Sequence, residues 1–204
     1  MNHLAHLLLA GPDPELRTGG FLGDFVRGRL AGRFPPRIEA GIRLHRHLDA
    51  RTDAHPLVRE AVGLFPAAQR RWAPVALDVW FDHLLARDFE RFAADPLDAF
   101  ARRACADLAA HADLMDERAR HFLEHMRGSG LLLRYADRAV ITGVLERLAR
   151  RSPRAAPIAA LDAVLDPLDE PLAERFPRIL ADLAETSRRW RADPANDPGA
   201  TRVD

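Results

Sequence analysis

Lysine is missing from this chain of 204 residues, so all 30 of its basic residues are arginines. That excludes a lysine Schiff base and the lysine of a phosphate-binding P-loop. Cysteine occurs once, at Cys105, which excludes an internal disulfide. No thiolate-stabilising pattern surrounds it, and it reads as a small core residue. Net charge is absent as well, because 30 acidic side chains balance the arginines. That argues against bulk nucleic-acid binding but leaves room for a local basic face. No apolar run approaches the ~20 residues a membrane helix needs. The opening stretch of residues 1–10 is apolar, yet it carries His3 and His6 and stops at Gly11-Pro12. It lacks the basic start of a secretory signal, so a reducing, cytoplasmic setting is expected, with no membrane partner. Alternating runs rich in Val, Ile, Thr and Tyr, the signature of strands, are nearly absent.

What is present is helical periodicity, enough for one all-α domain over residues 1–190 with a hydrophobic content of 48%. Asn2 is placed to cap a first short helix. A second is expected from Pro14 through Phe21, Phe25 and Val26 to Leu30, ended by Gly32 and Pro35-Pro36. A third spans about Arg37 to Ala50, and Thr52 or Asp53 is the expected cap of the next. Pro74 opens a helix that is apolar on several sides and therefore buried. A long stretch from Pro96 to Met126, broken once, precedes the turn Gly128-Ser129-Gly130. Asp137 caps a later helix, and a last one ends near Trp190. Residues 191–204 are polar and expected to be disordered.

Residues able to carry chemistry concentrate between His3 and His83. His45 and Asp49 are spaced i, i+4, as are Asp78 and Asp82, with His83 following directly; helices place such pairs on one face. Asp24 sits among Phe21, Leu22, Phe25 and Val26. Imidazole and carboxylate ligands suit divalent metals, and a metal accounts for carboxylates on apolar faces. Each feature also has an ordinary structural explanation. His45 and Asp49 can be a surface pair, Asp78 and Asp82 can pair with arginines, and His83 can be a hydrogen-bonded core histidine. Arg27 can be the ion-pair partner of Asp24. His111, His121 and His125 lie among charges and read as surface.

Together these segments resemble the acyl carrier protein phosphodiesterase family. The resemblance rests on Met1-Asn2-x-Leu4-Ala5-His6, on Asp24-Phe25-Val26-Arg27-Gly28 and on Phe34-Pro35-Pro36. It is carried furthest by Gly41-Ile42-x-x-His45-Arg46-x-x-Asp49 with Thr52-Asp53, then by Asp78-Val79 and Asp82-His83. Looser matches continue through Leu133-Arg134-Tyr135 and Asp137 to Arg175-Phe176-Pro177-Arg178. Two positions depart from the family pattern: His3 stands for a phenylalanine and His47 for an arginine.

The resemblance implies an all-helical bundle of divergent HD-domain-like type. It also implies metal-dependent hydrolysis of the phosphodiester linking 4'-phosphopantetheine to the serine of holo-acyl carrier protein, an acidic protein substrate. The implied cofactor is manganese, with magnesium or iron(II) as alternatives. On this reading Asp24, His45, Asp49, Asp82 and His83 supply or support the metal site. His6 is expected either to support the ligands from behind or to transfer protons, Arg46 neutralises phosphoryl charge, and Asp53 and Asp78 lie just behind the ligands. Arg27, Arg29, Arg33, Arg37 and Arg43 form the expected landing face. An HD-type hydrolase of nucleotides or other small phosphodiesters, and a non-catalytic helical binding module, are the alternatives. Oligomeric state is left open.

Overall fold

The computed structural model describes residues 1–196, and among them every regular element is helical. The all-α expectation is met. The α-helices are α1 (His3–Leu9), α2 (Pro14–Leu22), α3 (Pro36–Ala54), α4 (Pro56–Leu64), α5 (Ala73–Arg87) and α6 (Leu97–Ala109). They continue with α7 (Glu117–Gly128), α8 (Leu131–Arg134), α9 (Arg138–Ala149), α10 (Leu161–Leu165) and α11 (Asp169–Ala192). No helix of the described residues is long and apolar enough to cross a membrane.

Helix α5 runs through the core. Ala76, Leu77, Val79, Trp80, Phe81, Leu84 and Leu85 are all buried, so apolar side chains point outward around most of its circumference. Each large one contributes roughly 1.5–3 kcal/mol by leaving water. Around α5 pack α1, α4, α8, α9, α10 and α11. Helix α11 continues to Ala192, two residues past the expected end. It is tied back to α1 by the Ser187 hydroxyl, which donates to the Leu9 carbonyl at 2.5 Å. Most of the tail expected to be disordered, residues 197–204, lies outside the described residues.

Helices α2 and α3 cross so closely that their backbones touch. A Cβ on Gly19 would stand 2.2 Å from the Ile38 carbonyl oxygen, and one on Gly41 would stand 2.4 Å from that of Leu16. Only hydrogen side chains fit there. Elsewhere α2 is fixed by Arg17, a buried guanidinium that pairs with Asp107 of α6 and donates to the Gly11 carbonyl at 2.7 Å. His111, expected at the surface, is half-buried, with Nδ1 2.9 Å from the Asp107 carbonyl and 3.2 Å from the Thr18 hydroxyl.

Two expected boundaries moved, and both moves bear on the site. Helix α2 stops at Leu22, so Phe25, Val26 and Leu30 belong to a loop over residues 23–35 rather than to a helix. That loop takes left-handed backbone at Gly28 and Gly32, and also at Ala31, which helices do not contain. Helix α3 runs to Ala54, and the cap of α4 is His55, whose ring accepts from the Leu57 amide. Thr52 instead lies inside α3 and donates to the Leu48 carbonyl, the usual use of a threonine hydroxyl within a helix.

Gly19→Ala should therefore destabilise the protein by about 1–3 kcal/mol or more, as overpacking does. Gly143→Ala in α9, where an added Cβ meets nothing within 4 Å, should stabilise it by roughly 0.5–1 kcal/mol, the propensity gain of alanine over glycine. Urea unfolding of the two variants checks the opposite signs.

Candidate metal centre

Histidine 45 is placed by α3 and oriented by α2. Its Nδ1 lies 2.8 Å from the Gly20 carbonyl oxygen. A carbonyl only accepts, so Nδ1 carries the proton and Nε2 is the atom turned toward Asp49 Oδ2, 3.1 Å away. This is the outer support that metal-ligating histidines typically have. The ring also lies against Gly23, where a Cβ would fall 2.2 Å from Cγ of His45. The i, i+4 spacing on α3 thus delivers both groups as expected.

His6 arrives from α1 and stacks on His45, with ring centroids 3.8 Å apart. Its Nε2 lies 3.0 Å from Asp49 Oδ1. That approach is not aligned as a hydrogen bond, and neither ring nitrogen of His6 has a hydrogen-bond partner among the described residues. Leaving buried polar atoms unsatisfied typically costs about 1–3 kcal/mol each. His6, His45 and Asp49 together form a group able to hold a metal ion, with donor atoms all within 4.8 Å of one another. His6, expected behind the ligands or as a proton carrier, thus stands among the possible ligands.

The floor of this group is buried and its mouth is open. His6 and His45 are 3% and 4% exposed, whereas the Asp49 and Asp24 side chains are 44% and 41% exposed. Asp24 sits at the rim on the loop after α2, with Oδ1 3.9 Å from His45 Nε2 and Oδ2 3.1 Å from His3 Nδ1. In the sequence His3 opens the chemistry-bearing segment and departs from the family pattern, but no site role is expected of it. Its ring packs against Phe21, Phe25 and Phe122, a setting that joins three segments and that no local spacing reveals.

The electrostatics follow from this layout. Burial, helped by the neighbouring His45, lowers the pKa of His6 to about 4, so it is neutral at pH 7. Burial also acts to lower that of His45, but Asp49 and Asp24 outweigh it and leave it raised. For Asp24, burial acts upward and is overcome by His3, His45 and His6, which hold the carboxyl at about 2. The two imidazoles hold Asp49 lower still, against its own burial. The neutral imidazole of His6, the His45 ring between Asp49 and Asp24, and the two ionised carboxylates make a donor set suited to a divalent cation.

The remaining expected residues stand elsewhere. Asp82 is fully buried on α5 and spends both oxygens on the first turn of α1, accepting from Leu4 N at 2.7 Å and Ala5 N at 3.2 Å. It caps α1 from another helix, where Asn2 makes no side-chain cap bond. Successive residues of a helix diverge by about 100°, and His83 accordingly turns away, its Nδ1 2.8 Å from the Tyr135 carbonyl and its ring against Trp80. Arg46 donates to the carbonyls of Gly28 and Val26, at 3.0 and 2.9 Å, and so straps the loop that carries Asp24. Asp78 binds the Met1 amino group at 2.8 Å, and Asp53 is exposed. Cys105 packs beside the core, and burial raises its thiol pKa, away from nucleophilic chemistry.

A family model described as acyl carrier protein phosphodiesterase matches residues 1–183. A relative from Yersinia enterocolitica carrying that same name is 40% identical over 152 residues, 74% of this chain and 79% of its own. One from Photorhabdus laumondii is 38% identical over 74% of this chain and 77% of its own. One from Salmonella dublin is 38% identical over 189 residues, 90% of this chain and 98% of its own. Both bear the same name. No solved structure matches, and the kinship with HD-type phosphohydrolases rests on the sequence resemblance alone.

The neutral burial of His6 has a signature in chelator-treated protein. Unfolded histidine titrates near 6.5, so between pH 6.5 and 4 the unfolded chain binds the extra proton. The stability contributed by His6 is complete above 6.5 and is lost as pH falls toward 4. Asp82 runs the other way: burial raises it from 3.8 to about 6, so the folded state takes its proton first. The two offset each other in the wild type, and a variant separates them. The stability of His6→Leu relative to wild type should rise by on the order of 3 kcal/mol from pH 7 to pH 4, measured by urea unfolding. A difference independent of pH would contradict a neutral His6.

Proposed function

The chain belongs to the acyl carrier protein phosphodiesterase family, and from that premise we propose that it uses a divalent metal ion to hydrolyse the phosphodiester between 4'-phosphopantetheine and the serine of holo-acyl carrier protein. The products are apo-carrier protein and 4'-phosphopantetheine. The observation that carries the metal part of this reading is the convergence of His6, His45 and Asp49, with both His6 nitrogens lacking a hydrogen-bond partner among the described residues.

His6, His45 and Asp49 would hold the ion, manganese being the first expectation and magnesium or iron(II) the alternatives. Bound there, it supplies Lewis acidity toward the phosphodiester and toward water. The protein's own groups do the positioning. The Gly20 carbonyl keeps the His45 proton on Nδ1 and leaves Nε2 for coordination. Asp24, ionised and at the open rim, orients the attacking water by accepting its hydrogen bond, and His3 beside it steadies the carboxylate. Arg46 serves by holding the loop of Asp24 in place. Asp82 acts at one remove, fixing the helix that carries His6.

The loop of residues 23–35 is also the landing face for an acidic carrier protein. Of the five arginines of the expected face, Arg37 and Arg43 lie on α3, where Arg37 is engaged by Asp13 and Arg43 lies 3.5 Å from Glu39. Arg27 and Arg29 are exposed and have no ion-pair partner among the described residues. Arg33, also exposed, braces the loop by donating to the Arg27 carbonyl. Charges of this kind speed encounter with a partner of opposite sign and are screened by salt.

Three outcomes are expected. Chelation should abolish release of 4'-phosphopantetheine, and manganese should restore it. His45→Gln and Asp49→Asn should each cost at least about 100-fold in turnover, since even outer partners of a metal site typically cost about 10–100-fold; mass spectrometry of the carrier protein reads both. Charge reversal at Arg27 and Arg29 should raise KM for holo-carrier protein while leaving a small phosphodiester such as bis(4-nitrophenyl) phosphate nearly untouched. Equal losses on the two substrates would remove the loop from docking.

A further inference from the structure

A cleft of about 290 Å³ opens between α3, α4 and α5. Its floor is apolar, built from Val58, Val62, Leu77 and Phe81, and its edge carries the carboxylates of Asp53 and Asp78. Three observations bear on what it takes. The first is nearness to the metal centre, whose residues lie outside the lining itself, Asp49 standing one helical turn away along α3. Asp49 and Asp53 are four residues apart on α3 and so share a face, about 6 Å apart along the axis. From the opposite wall, Asp78 lies within electrostatic reach of both. It also binds the Met1 amino group, two residues before the helix that carries His6.

The second observation is polarity. The groups at the edge are mainly acceptors, with a single arginine, Arg59, on the exposed side. Asp53 has no hydrogen-bond or ion-pair partner among the described residues. With Asp78 paired to the Met1 ammonium and Arg59 balancing Asp53 in charge, the lining offers no net positive charge to hold a phosphate and favours an uncharged chain whose N–H and O–H groups donate. The third is size. The volume stands at the small end of ligand clefts, which run from roughly 300 to 1,000 Å³, and suits a slender chain better than a ring system.

We propose that this cleft seats the pantetheine arm, with the phosphodiester at the His6–His45–Asp49 group and the amide-bearing chain lying along α3 toward Asp53. The inference rests on the phosphodiesterase reading above and deepens it. Apolar contact with Val58, Val62, Leu77 and Phe81 holds the methylene and gem-dimethyl carbons. Asp53 accepts from the amide N–H groups or from the hydroxyl. The arm is the part of the substrate that all carrier proteins share, so the cleft sets recognition of the prosthetic group, and the arginine loop sets recognition of the protein that bears it.

The test uses free pantetheine, which lacks the phosphate, and binding read by isothermal titration on the full chain. Val62 is half-buried at the cleft, so Val62→Met and Val62→Trp fill it by increments, and the smaller change keeps the test alive if the larger one does not fold. Wild-type protein should bind pantetheine saturably, Val62→Met more weakly, and Val62→Trp at least about tenfold more weakly, a loss of about 1.4 kcal/mol. KM for holo-carrier protein should rise in the same order, with turnover of bis(4-nitrophenyl) phosphate within about twofold of wild type. No binding of pantetheine to the wild type, or equal binding by all three proteins, overturns the proposal. So does an equal loss on both substrates. Binding is read without turnover, so a wild type that hydrolyses neither substrate counts against the phosphodiesterase reading, and unchanged pantetheine binding beside intact hydrolysis counts against the cleft alone.

Discussion

The contact on which the rest of the structure depends is the backbone crossing of α2 and α3 at Gly19 and Gly41. It sets the depth at which α3 lies beneath α2. One residue on, the Gly20 carbonyl meets Nδ1 of His45, and at the end of α2 Gly23 leaves room for the imidazole ring. A side chain at either crossing position would push the helices apart by more than the length tolerance of a hydrogen bond. His45 would then lose its fixed orientation, and with it the direction of Nε2 toward Asp49. A packing constraint between two helices thereby becomes a constraint on ligand geometry.

The other half of the group depends on α1, a helix of seven residues. Isolated helices of that length are not stable in water, and this one is held at both ends by others. Asp82 of α5 satisfies the amides of its first turn, and Ser187 of α11 binds the carbonyl of Leu9. His6 is then carried into contact with His45 inside the protein, where burial keeps it neutral. Two buried imidazoles under two half-exposed carboxylates give a site that is rigid below and open above. The arginine loop strapped by Arg46 stands at one side of the opening, and the cleft between α3, α4 and α5 begins at Thr52 and Asp53, about one turn beyond Asp49 on α3.

Much of this was legible in the sequence where the signal is local. The all-helical class, the burial of α5, the Asp137 cap and the His45–Asp49 pair all follow from helical period and capping chemistry, and all appear. What was not legible depends on residues far apart in the chain. Asp82 has the type and spacing of a ligand, but Leu4 and Ala5, 78 and 77 residues away, claim its oxygens. Asp24 sits in an apolar stretch that reads as helix, yet α2 ends at Leu22 once its backbone has met α3, and the chain turns out into a loop. Arg46 lies one position from His45, suggestive of a phosphoryl clamp, and is taken up by loop carbonyls instead. His3 earns its place through Asp24 and three phenylalanines drawn from α2, the loop and α7.

The central claim is that His6, His45 and Asp49 converge on one divalent ion. Electron spin-echo spectroscopy of the manganese-loaded protein tests it most directly, because couplings to imidazole nitrogen report ligation whatever the enzyme's turnover. The account predicts one bound ion per chain with nitrogen couplings from two imidazoles, one set lost in His6→Ala and the other in His45→Ala. A spectrum without nitrogen coupling, or one that both substitutions leave unchanged, would contradict it.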